Sequence, residues 1–297
     1  MVDLNKVGVV IVSYASEPTI AATLTALPLG RLGGVVVVDN ASPDASADVA
    51  RRCGVVVLEQ DNLGFGAGNN RGAAELGTEL VLFLNPDAVL QREDLECLVA
   101  YLDAHPACAV VGPRVLCGGR PTYSAGRLTS LAGELRPLLP DPLSRLGPKR
   151  RLPPEHALSG AVGYVEGACF LVRRAVLAEL GGFDEGYFLY GEELELGQRL
   201  ARLGWEVHLC ADAVVEHAMG VSTRALGQGA GLHLARSQVR YLRRWHGERA
   251  ARTWARAARL SWALRARTGR LSQDDAHALR SAVAEALSHP PPPPAGL

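Results

Sequence analysis

Short runs of β-branched residues alternate with helix-like stretches up to about residue 115, and this alternation constrains the fold more than any other feature. Five runs are too short for helices, and turn-forming residues follow each of them: Val7–Val12, Val35–Val38, Val55–Leu58, Leu80–Leu84 and Val110–Val111. The first four then lead into stretches with a helical spacing of alanine and leucine. The pattern predicts an α/β fold, a mostly parallel sheet with helices on both faces.

Polar clusters stand at the ends of these runs, where the carboxyl ends of parallel strands gather and such sheets bind ligands. Taken singly, each has a purely structural explanation. Asp39-Asn40 could form a turn with Asp44 capping the next helix, and Asn85-Pro86-Asp87 could be a simple turn. Taken together, the clusters predict one binding site. They are Ser13-Tyr14, Val38 to Asp44, Asn62 to Gly72, and Leu84 to Asp87.

The segment Gly64-Phe65-Gly66-Ala67-Gly68 invites comparison with a dinucleotide-binding loop but does not fit it. That fingerprint needs a third glycine where Asn69 stands, and it follows the first strand rather than the third. The sequence therefore disfavours a nicotinamide-dependent oxidoreductase. We expect instead that the glycines let a helix begin close to an anionic ligand, with Arg71 near a phosphate.

A second informative block begins after residue 160. Glu192, Glu193 and Glu195 stand at the start of a predicted helix, where the helix dipole favours acids. Capping explains one or two of them. The aromatic residues at 187–190 and the preceding double glycine indicate a pocket wall, in which a carboxylate could act as a general base. His217 follows a later apolar run, and a lone histidine is more often structural than a ligand.

These segments, in this order, resemble family 2 inverting glycosyltransferases of the GT-A fold, in the branch that includes many bacterial rhamnosyltransferases. The resemblance covers roughly residues 7–245. It rests on Val-Ser-Tyr, Val-Val-Asp-Asn-Ala-Ser-x-Asp, Asn-x-Gly-Phe-x-x-Gly-Asn-Asn-x-Gly, Leu-Asn-Pro-Asp, Gly-Gly-Phe-Asp-Glu and Glu-Glu-x-Glu-Leu. It implies a mostly parallel, Rossmann-like GT-A sheet flanked by helices, with a C-terminal helical extension.

The resemblance also implies roles for individual residues. Asp87 and His217 match positions that bind a divalent metal ion, Mg²⁺ or Mn²⁺, although Asn85 replaces the first carboxylate of the metal motif. Glu193 stands where the family has its catalytic base, most often aspartate, and Glu192 is a rival for that role. The residues expected to bind the donor, with Asp39 at its nucleotide base, are Ser13, Tyr14, Asp39, Asn40, Gly64, Asn70, Arg71 and Asn85.

The implied reaction is a metal-dependent transfer of a sugar, such as L-rhamnose, from a nucleoside-diphosphate donor to an acceptor hydroxyl, with inversion. The resemblance favours a dTDP-sugar donor, with UDP-sugars next, and a role in bacterial polysaccharide biosynthesis. The acceptor is expected to be a glycan, a lipid-linked glycan or a natural product. Two alternatives stay open: a nucleotidyltransferase-like protein, and a protein that binds sugar nucleotides without transferring the sugar.

The charges are unevenly distributed along a chain whose 31 basic and 31 acidic residues cancel. Between Arg236 and Arg270, eleven arginines accompany a single acid, Glu248. One interpretation is a solvated helical face. The other is contact of residues 236–270 with an anionic membrane near a lipid-linked acceptor. The tryptophans at that interface would be Trp245, Trp254 and Trp262. Overall neutrality disfavours nucleic acid as a partner, whereas a homodimer is among the expected assemblies.

By composition the chain divides into three parts. Residues 1–228 are expected to form the catalytic domain with an irregular acceptor-side loop at 118–160, residues 229–288 a helical extension, and residues 289–297 a proline-rich tail. The sequence lacks a signal-peptide pattern and an apolar run of about 20 residues, and its six cysteines are dispersed. We therefore expect a cytoplasmic protein, peripheral at the inner face of the membrane where the arginine-rich segment makes contact.

Overall fold

The computed structural model describes residues 2–139, 150–156, 158–218 and 229–288. The proline-rich tail 289–297, the boundary expected at residue 228 and part of the 118–160 loop lie outside those ranges. Within them, a mixed sheet flanked by helices is followed by three further helices, as the sequence predicts.

The first half of the sheet is parallel and follows the predicted runs. Its elements are β1 Val7–Ser13, α1 Glu17–Ala26, β2 Gly34–Asp39, α2 Ser46–Arg52, β3 Val56–Glu59, α3 Phe65–Ala74 and β4 Leu80–Leu84. The strands lie in the order β3-β2-β1-β4, with Ser13 in register with Asp39. Every residue of β1 is buried, because apolar clusters pack on both of its faces.

The second half of the sheet mixes strand directions. Its elements are β5 Ala88–Leu90, α4 Arg92–Ala104, β6 Cys108–Cys117, β7 Arg120–Pro121, β8 Ala125–Gly126, α5 Leu131–Leu135, β9 Gly160–Val162, β10 Tyr164–Val165, β11 Cys169–Arg173, α6 Arg174–Glu179, α7 Glu192–Arg202 and β12 Glu206–His217. The sheet of the described residues runs β3-β2-β1-β4-β11-β6-β12-β5, with β7 beside β6 and β9 beside β12. Strand β11 lies antiparallel between β4 and β6 and so joins the two halves.

Residues Tyr164–Val172 contain two strands that belong to different sheets. Strand β10 pairs with β8 in a two-stranded sheet, whereas β11 enters the main sheet. The connection at 166–168 lies between these strands and lines the cavity described below. The described part of the irregular 118–160 loop likewise contains the short strands β7 and β8 and helix α5.

The C-terminal extension consists of α8 Gly229–His246, α9 Glu248–Arg267 and α10 Gln273–Ser288. Its helices share an apolar core with the catalytic part, in which Val239, Leu242 and Trp254 pack in one cluster with Tyr187 and Leu194. The extension is therefore attached through the segment that leads into α7. Of the helices described, none combines the length and the apolar character needed to span a bilayer.

The tryptophans expected at a membrane interface belong to this packing instead. Trp254 is buried, and its ring lies edge-on to that of Trp262 with 6.1 Å between the ring centroids. The guanidinium carbons of Arg202 and Arg244 lie 4.4 and 5.2 Å from the ring centroid of Trp245. Trp254 therefore packs in the protein interior rather than at an interface, and the half-buried Trp245 and Trp262 pack against the same cluster.

Candidate active site

A cavity of about 440 Å³ lies where the carboxyl ends of β1, β2 and β4 meet. Its lining includes eight of the residues singled out from the sequence: Tyr14, Asn40, Gly64, Asn85, Asp87, Glu192, Glu193 and His217. The four that do not line it are Ser13, Asp39, Asn70 and Arg71. The fold thus brings most of the predicted site together at one edge of the sheet, as ligand sites of such sheets require.

Asp87 and His217 meet in this cavity. His217 Nε2 lies 3.0 Å from Asp87 Oδ1 and 3.3 Å from Asn85 Nδ2. Strand pairing creates this contact across 130 residues, because His217 ends β12 and lies opposite Ala88 of the antiparallel β5. Both side chains are largely buried, with 5% of Asp87 and 14% of His217 exposed. Their separation is therefore set by the backbone of the sheet.

The chemistry of this pair fits a divalent ion that the protein shares with its substrate. Asp87 offers a carboxylate oxygen and His217 an imidazole nitrogen, and Mg²⁺ or Mn²⁺ commonly takes one or two protein ligands together with substrate phosphates and water. Across the described ranges, no group of three or more His, Cys, Asp and Glu side chains could hold a metal ion. The arrangement therefore fits a substrate-completed site rather than an all-protein cage.

Helix α7 begins with two acids that reach the same cavity, after Gly191 in the left-handed conformation at φ +93°. Burial raises the pKa of Glu192 well above its ordinary value, and the charge of Glu193 raises it further. Burial also raises the pKa of Glu193, but backbone hydrogen bonds and the guanidinium groups of Arg150 and Arg151 oppose that shift. The pKa values of both acids are therefore raised, and the charges of the two arginines favour the ionised form of Glu193.

Glu166 is a cavity carboxylate that the sequence reasoning missed. Its side chain is 20% exposed, and its Oε1 lies 3.3 Å from Arg151 Nε. This oxygen accepts no hydrogen bond from the described residues. Burial raises the pKa of Glu166 to about 7, against the opposing charge of Arg151. No local sequence pattern marked Glu166, because its burial and its contact with Arg151 of the 118–160 loop arise only in the folded chain.

The two polar residues at the end of β2 have different surroundings. Asn40 lines the cavity, and its Nδ2 donates to the Gly64 carbonyl oxygen at 3.1 Å. Asp39 instead accepts hydrogen bonds from the backbone N–H and the hydroxyl of Ser42, at 2.9 and 2.6 Å. Beside it, Ser13 is fully buried, and its hydroxyl has no partner within the described part of the chain. Asp39 therefore shapes the loop that presents Asn40.

The glycine-rich start of α3 packs closely against another loop. Gly64 has φ +99°, and a Cβ there would lie 2.5 Å from the carbonyl oxygen of Phe188. That oxygen accepts a hydrogen bond from the Phe65 N–H at 2.9 Å. A Cβ on Gly68 would lie 2.9 Å from Val12 of β1. The glycines, which the sequence analysis assigned to an anionic ligand, therefore have a second role, because they also let α3 approach two protein segments.

The other two predicted residues of α3 point away from the cavity. Asn70 Oδ1 accepts from the Phe183 N–H at 2.7 Å, and its Nδ2 donates to the Phe183 carbonyl oxygen at 3.0 Å. Arg71 is exposed and donates to Gln60 Oε1 at 3.2 Å. Asn70 therefore positions the 183–191 loop, while Arg71 lies outside the cavity lining.

The 183–191 loop forms the aromatic wall that the sequence predicted. Phe188 and Tyr190 line the cavity, whereas Tyr187 is buried beneath them. Asp184 ties the loop to α8, because Arg240 Nη2 donates to its Oδ1 at 2.6 Å and Arg244 Nη1 to its Oδ2 at 3.0 Å. The C-terminal extension therefore holds one wall of the cavity in place.

Comparisons with known proteins identify the family of the chain. A model of the glycosyltransferase-like family 2 matches residues 5–245. An N-acetylglucosaminyl-diphospho-decaprenol L-rhamnosyltransferase of Mycobacterium tuberculosis is 32% identical over 250 residues, which cover 76% of this chain and 80% of that protein. The rhamnosyltransferase WbbL of Escherichia coli is 29% identical over 192 residues, which cover 61% and 70% of the two chains.

A solved structure supports the fold. A mannosyltransferase of Pyrobaculum calidifontis, in complex with GDP-Man and Mn²⁺, superposes with a TM-score of 0.55 at 19% identity and covers 95% of this chain and 80% of its own. Its likeness, together with the sheet order, shows the Rossmann-like GT-A fold. The family match spans more than half of the chain, and the chain therefore belongs to glycosyltransferase-like family 2 and is a glycosyltransferase of the GT-A fold.

Proposed function

We propose that the protein transfers L-rhamnose from a nucleoside-diphosphate donor to a hydroxyl group of a lipid-linked glycan, with inversion at the anomeric carbon. One observation carries the proposal. The Asp87–His217 pair and the acidic start of α7 face the same cavity, so groups suited to a diphosphate-bound metal and to a base are available to one substrate complex.

The donor side of the cavity is proposed to hold the diphosphate and nucleoside. Asp87 and His217 would hold a divalent ion, Mg²⁺ or Mn²⁺, which when bound neutralises charge on the leaving diphosphate. Tyr14 and Asn40 line the same part of the sheet edge and would contact the nucleoside. Asn85 lines the same part of the cavity, with its Nδ2 3.3 Å from His217 Nε2, and would contact the donor.

The acceptor side is proposed to carry the base. Glu193 would accept the proton of the acceptor hydroxyl as its oxygen attacks the anomeric carbon from the face opposite the diphosphate. The charges of Arg150 and Arg151 favour the ionised form of Glu193, which a base requires. Burial and the charge of Glu193 raise the pKa of Glu192 well above its ordinary value, so in this proposal Glu192 would donate a hydrogen bond rather than take a proton.

The proposed substrates follow the relatives. One relative acts, by its name, on N-acetylglucosaminyl-diphospho-decaprenol, and two carry rhamnosyltransferase in their names. A dTDP-rhamnose donor is therefore proposed first, and UDP-sugars second. The proposed place of action is the cytoplasm at the inner face of the membrane, because a polyprenyl-linked acceptor is anchored there while its sugar reaches into the aqueous phase.

The test is a donor screen with a defined acceptor. Purified protein is incubated with dTDP-rhamnose, UDP-glucose, UDP-N-acetylglucosamine or GDP-mannose, and with N-acetylglucosaminyl diphosphate on a short polyprenyl chain. The assay is run with Mg²⁺, Mn²⁺ or EDTA, and NMR gives the anomeric configuration of the product. We expect transfer from dTDP-rhamnose with inversion, and its loss in EDTA. Donor binding without product from any donor would instead support the sugar-nucleotide-binding alternative.

The assignment of the base is tested by matched glutamines. Glu193→Gln is expected to lower kcat at least a hundredfold while donor affinity changes little, whereas Glu192→Gln retains more activity. Glu179→Gln, at an exposed position on α6, is the control. Because the pKa of Glu193 is raised, the parent rate should increase with pH above the ordinary glutamate range. Full turnover by Glu193→Gln would remove this residue from the role.

A further inference from the structure

Helix α9 presents a basic outer face to solvent. The buried side of the helix carries Trp254, Ala255 and Ala258. The opposite side spans about 140° of the helix circumference at 3.6 residues per turn. We call this side the α9 outer face, and its exposed residues are Arg249, Arg252, Thr253, Arg256, Arg259, Leu260, Leu264 and Arg267. The only acid in α9 is Glu248, at its first position.

The structure separates these arginines from those that the fold uses. Arg240 and Arg244 bind the buried Asp184, and Arg243 pairs with Glu248. On the outer face, only Arg252 has such a contact, 2.8 Å from Glu248. The other arginines of that face are not paired with any acid in the described ranges: Arg249, Arg256, Arg259 and Arg267. The candidate membrane-binding surface is therefore the α9 outer face alone rather than the whole of 236–270.

Two leucines stand among the unpaired arginines. Leu260 is 63% exposed and Leu264 49% exposed, and they lie one turn apart on the outer face. A polyelectrolyte such as duplex DNA would neutralise the arginines but would leave these apolar side chains in water. The boundary between lipid headgroups and acyl chains accepts both kinds of side chain. The mixture of arginine and leucine therefore favours a bilayer surface as the partner.

We propose that the α9 outer face binds the surface of an anionic phospholipid bilayer, with the helix axis parallel to the membrane plane. A second copy of the chain is disfavoured as the occupant, because a two-fold contact of this face would place arginines against arginines. This inference stands apart from the proposed sugar transfer, since it requires neither a donor nor an acceptor. It would nevertheless bring the protein to a lipid-linked substrate.

The expected strength can be worked out from the unpaired charges. Each arginine near an anionic surface strengthens binding by about fivefold, and the effect fades beyond a Debye length of about 10 Å at 0.1 M salt. Arg249, Arg256 and Arg267 project along the centre of the outer face. Their joint replacement by glutamine, which retains helix propensity, should weaken binding by roughly a hundredfold.

The experiment is vesicle flotation of the full chain at 0.1 M NaCl, without substrate. The vesicles are phosphatidylcholine alone or phosphatidylcholine with a third of phosphatidylglycerol. We compare the parent with the triple variant R249Q/R256Q/R267Q. The matched control, R51Q/R52Q/R92Q, removes three exposed arginines from the catalytic part. We expect the parent and the control to bind anionic vesicles with affinities within about fivefold and the α9 variant to lose binding.

Three outcomes would overturn the proposal. In the first, the parent does not bind anionic vesicles. In the second, the α9 variant and the control variant lose vesicle binding equally. In the third, the same arginines bind a duplex DNA as tightly as they bind vesicles. Analytical ultracentrifugation adds a fourth, a dimer that the α9 substitutions dissociate. The double variant L260S/L264S should weaken vesicle binding several-fold without reducing the thermal transition, and unchanged vesicle binding would refute the parallel orientation. None of these measurements depends on sugar transfer. A negative result in the vesicle experiment would therefore not count against the proposed function.

Discussion

The buried carboxylate of Asp184 offers the sharpest test of how the C-terminal extension supports the cavity. Its two oxygens accept hydrogen bonds from Arg240 at 2.6 and 3.1 Å and from Arg244 at 3.0 Å. The Asp184 side chain is only 6% exposed. Burial would raise the pKa of Asp184, but the hydrogen bonds and charges of the two arginines outweigh burial and hold that pKa below its ordinary value.

The substitution Asp184→Asn keeps the size of the side chain and removes its charge. Arg244 then retains Glu195 Oε1 at 3.2 Å. Arg240 loses its ion pair and, because asparagine has a single acceptor oxygen, at least one of its two hydrogen bonds to residue 184. Removing one partner of a buried ion pair costs about 3–5 kcal/mol. Because one arginine keeps a partner, we expect the free energy of unfolding to fall by about 3 kcal/mol. The Tm should then fall by roughly 6–12 °C.

The measurement is urea denaturation and thermal melting of the parent and the variant. Asp48→Asn is the matched control, since Asp48 pairs with Arg51 at 2.9 Å but is exposed, and such pairs contribute less than about 1 kcal/mol. Adding Arg240→Gln to Asp184→Asn should restore part of the stability, because it removes the uncompensated charge.

The pH dependence of this stabilisation has a defined sign. Since the folded-state pKa of Asp184 is lowered, its stabilising effect is complete above the ordinary value of 3.8 and disappears as the pH falls through the lowered value. The stability difference between parent and Asp184→Asn should therefore be full at pH 7 and shrink below about pH 4. A neutral-pH difference no larger than that of Asp48→Asn would refute the account of Asp184 as a buried anchor.

Three further predictions concern the cavity. Gly64→Ala should lower the free energy of unfolding by about 1–3 kcal/mol and weaken UDP binding in calorimetry, because φ is +99° and the added Cβ would collide with Phe188. Gly54→Ala is the control: at φ +78° with open space around it, it should lower the free energy of unfolding less and leave UDP binding unchanged. The pKa of Glu166 is raised to about 7, so ionisation of this acid destabilises the fold. In urea denaturation, the free energy of unfolding of Glu166→Gln relative to the parent should therefore rise by roughly 2–3 kcal/mol between pH 5 and 8. A difference in the free energy of unfolding that does not change with pH would contradict this prediction. Asp87→Asn should weaken Mn²⁺-dependent UDP binding about tenfold or more, and unchanged metal dependence would count against the site.

The strand ends could be predicted from the sequence because their signals are local. A β-branched run followed by Asp39-Asn40 or Asn85-Pro86-Asp87 predicts both a strand and the residue at which that strand ends. The parallel order then places these points at one edge of the sheet. The short distance between Asp87 and His217 was not readable in this way, because it depends on the pairing of β5 with β12.

The residues that escaped prediction depend on tertiary partners. Glu166 acquires its raised pKa from burial and from Arg151, and no sequence pattern reports either. The arginines of the extension looked alike in the sequence, yet the fold pairs Arg240 with Asp184, which is 56 residues away, and leaves Arg256 unpaired within the described ranges. Tertiary packing also buried Trp254, although its spacing among arginines suits an interfacial helix.

Strand β11 has a bearing on how the chain is synthesised. It occupies the place between β4 and β6, but it is translated long after both of them. At about 5–20 residues per second, residue 169 follows residue 84 by between roughly 4 and 17 s. During that interval the nascent chain exposes one edge of β4, whose residues Leu80–Leu84 are all buried in the finished sheet. A product truncated before Cys169 would therefore carry an open apolar strand edge, the kind of surface that recruits chaperones or aggregates.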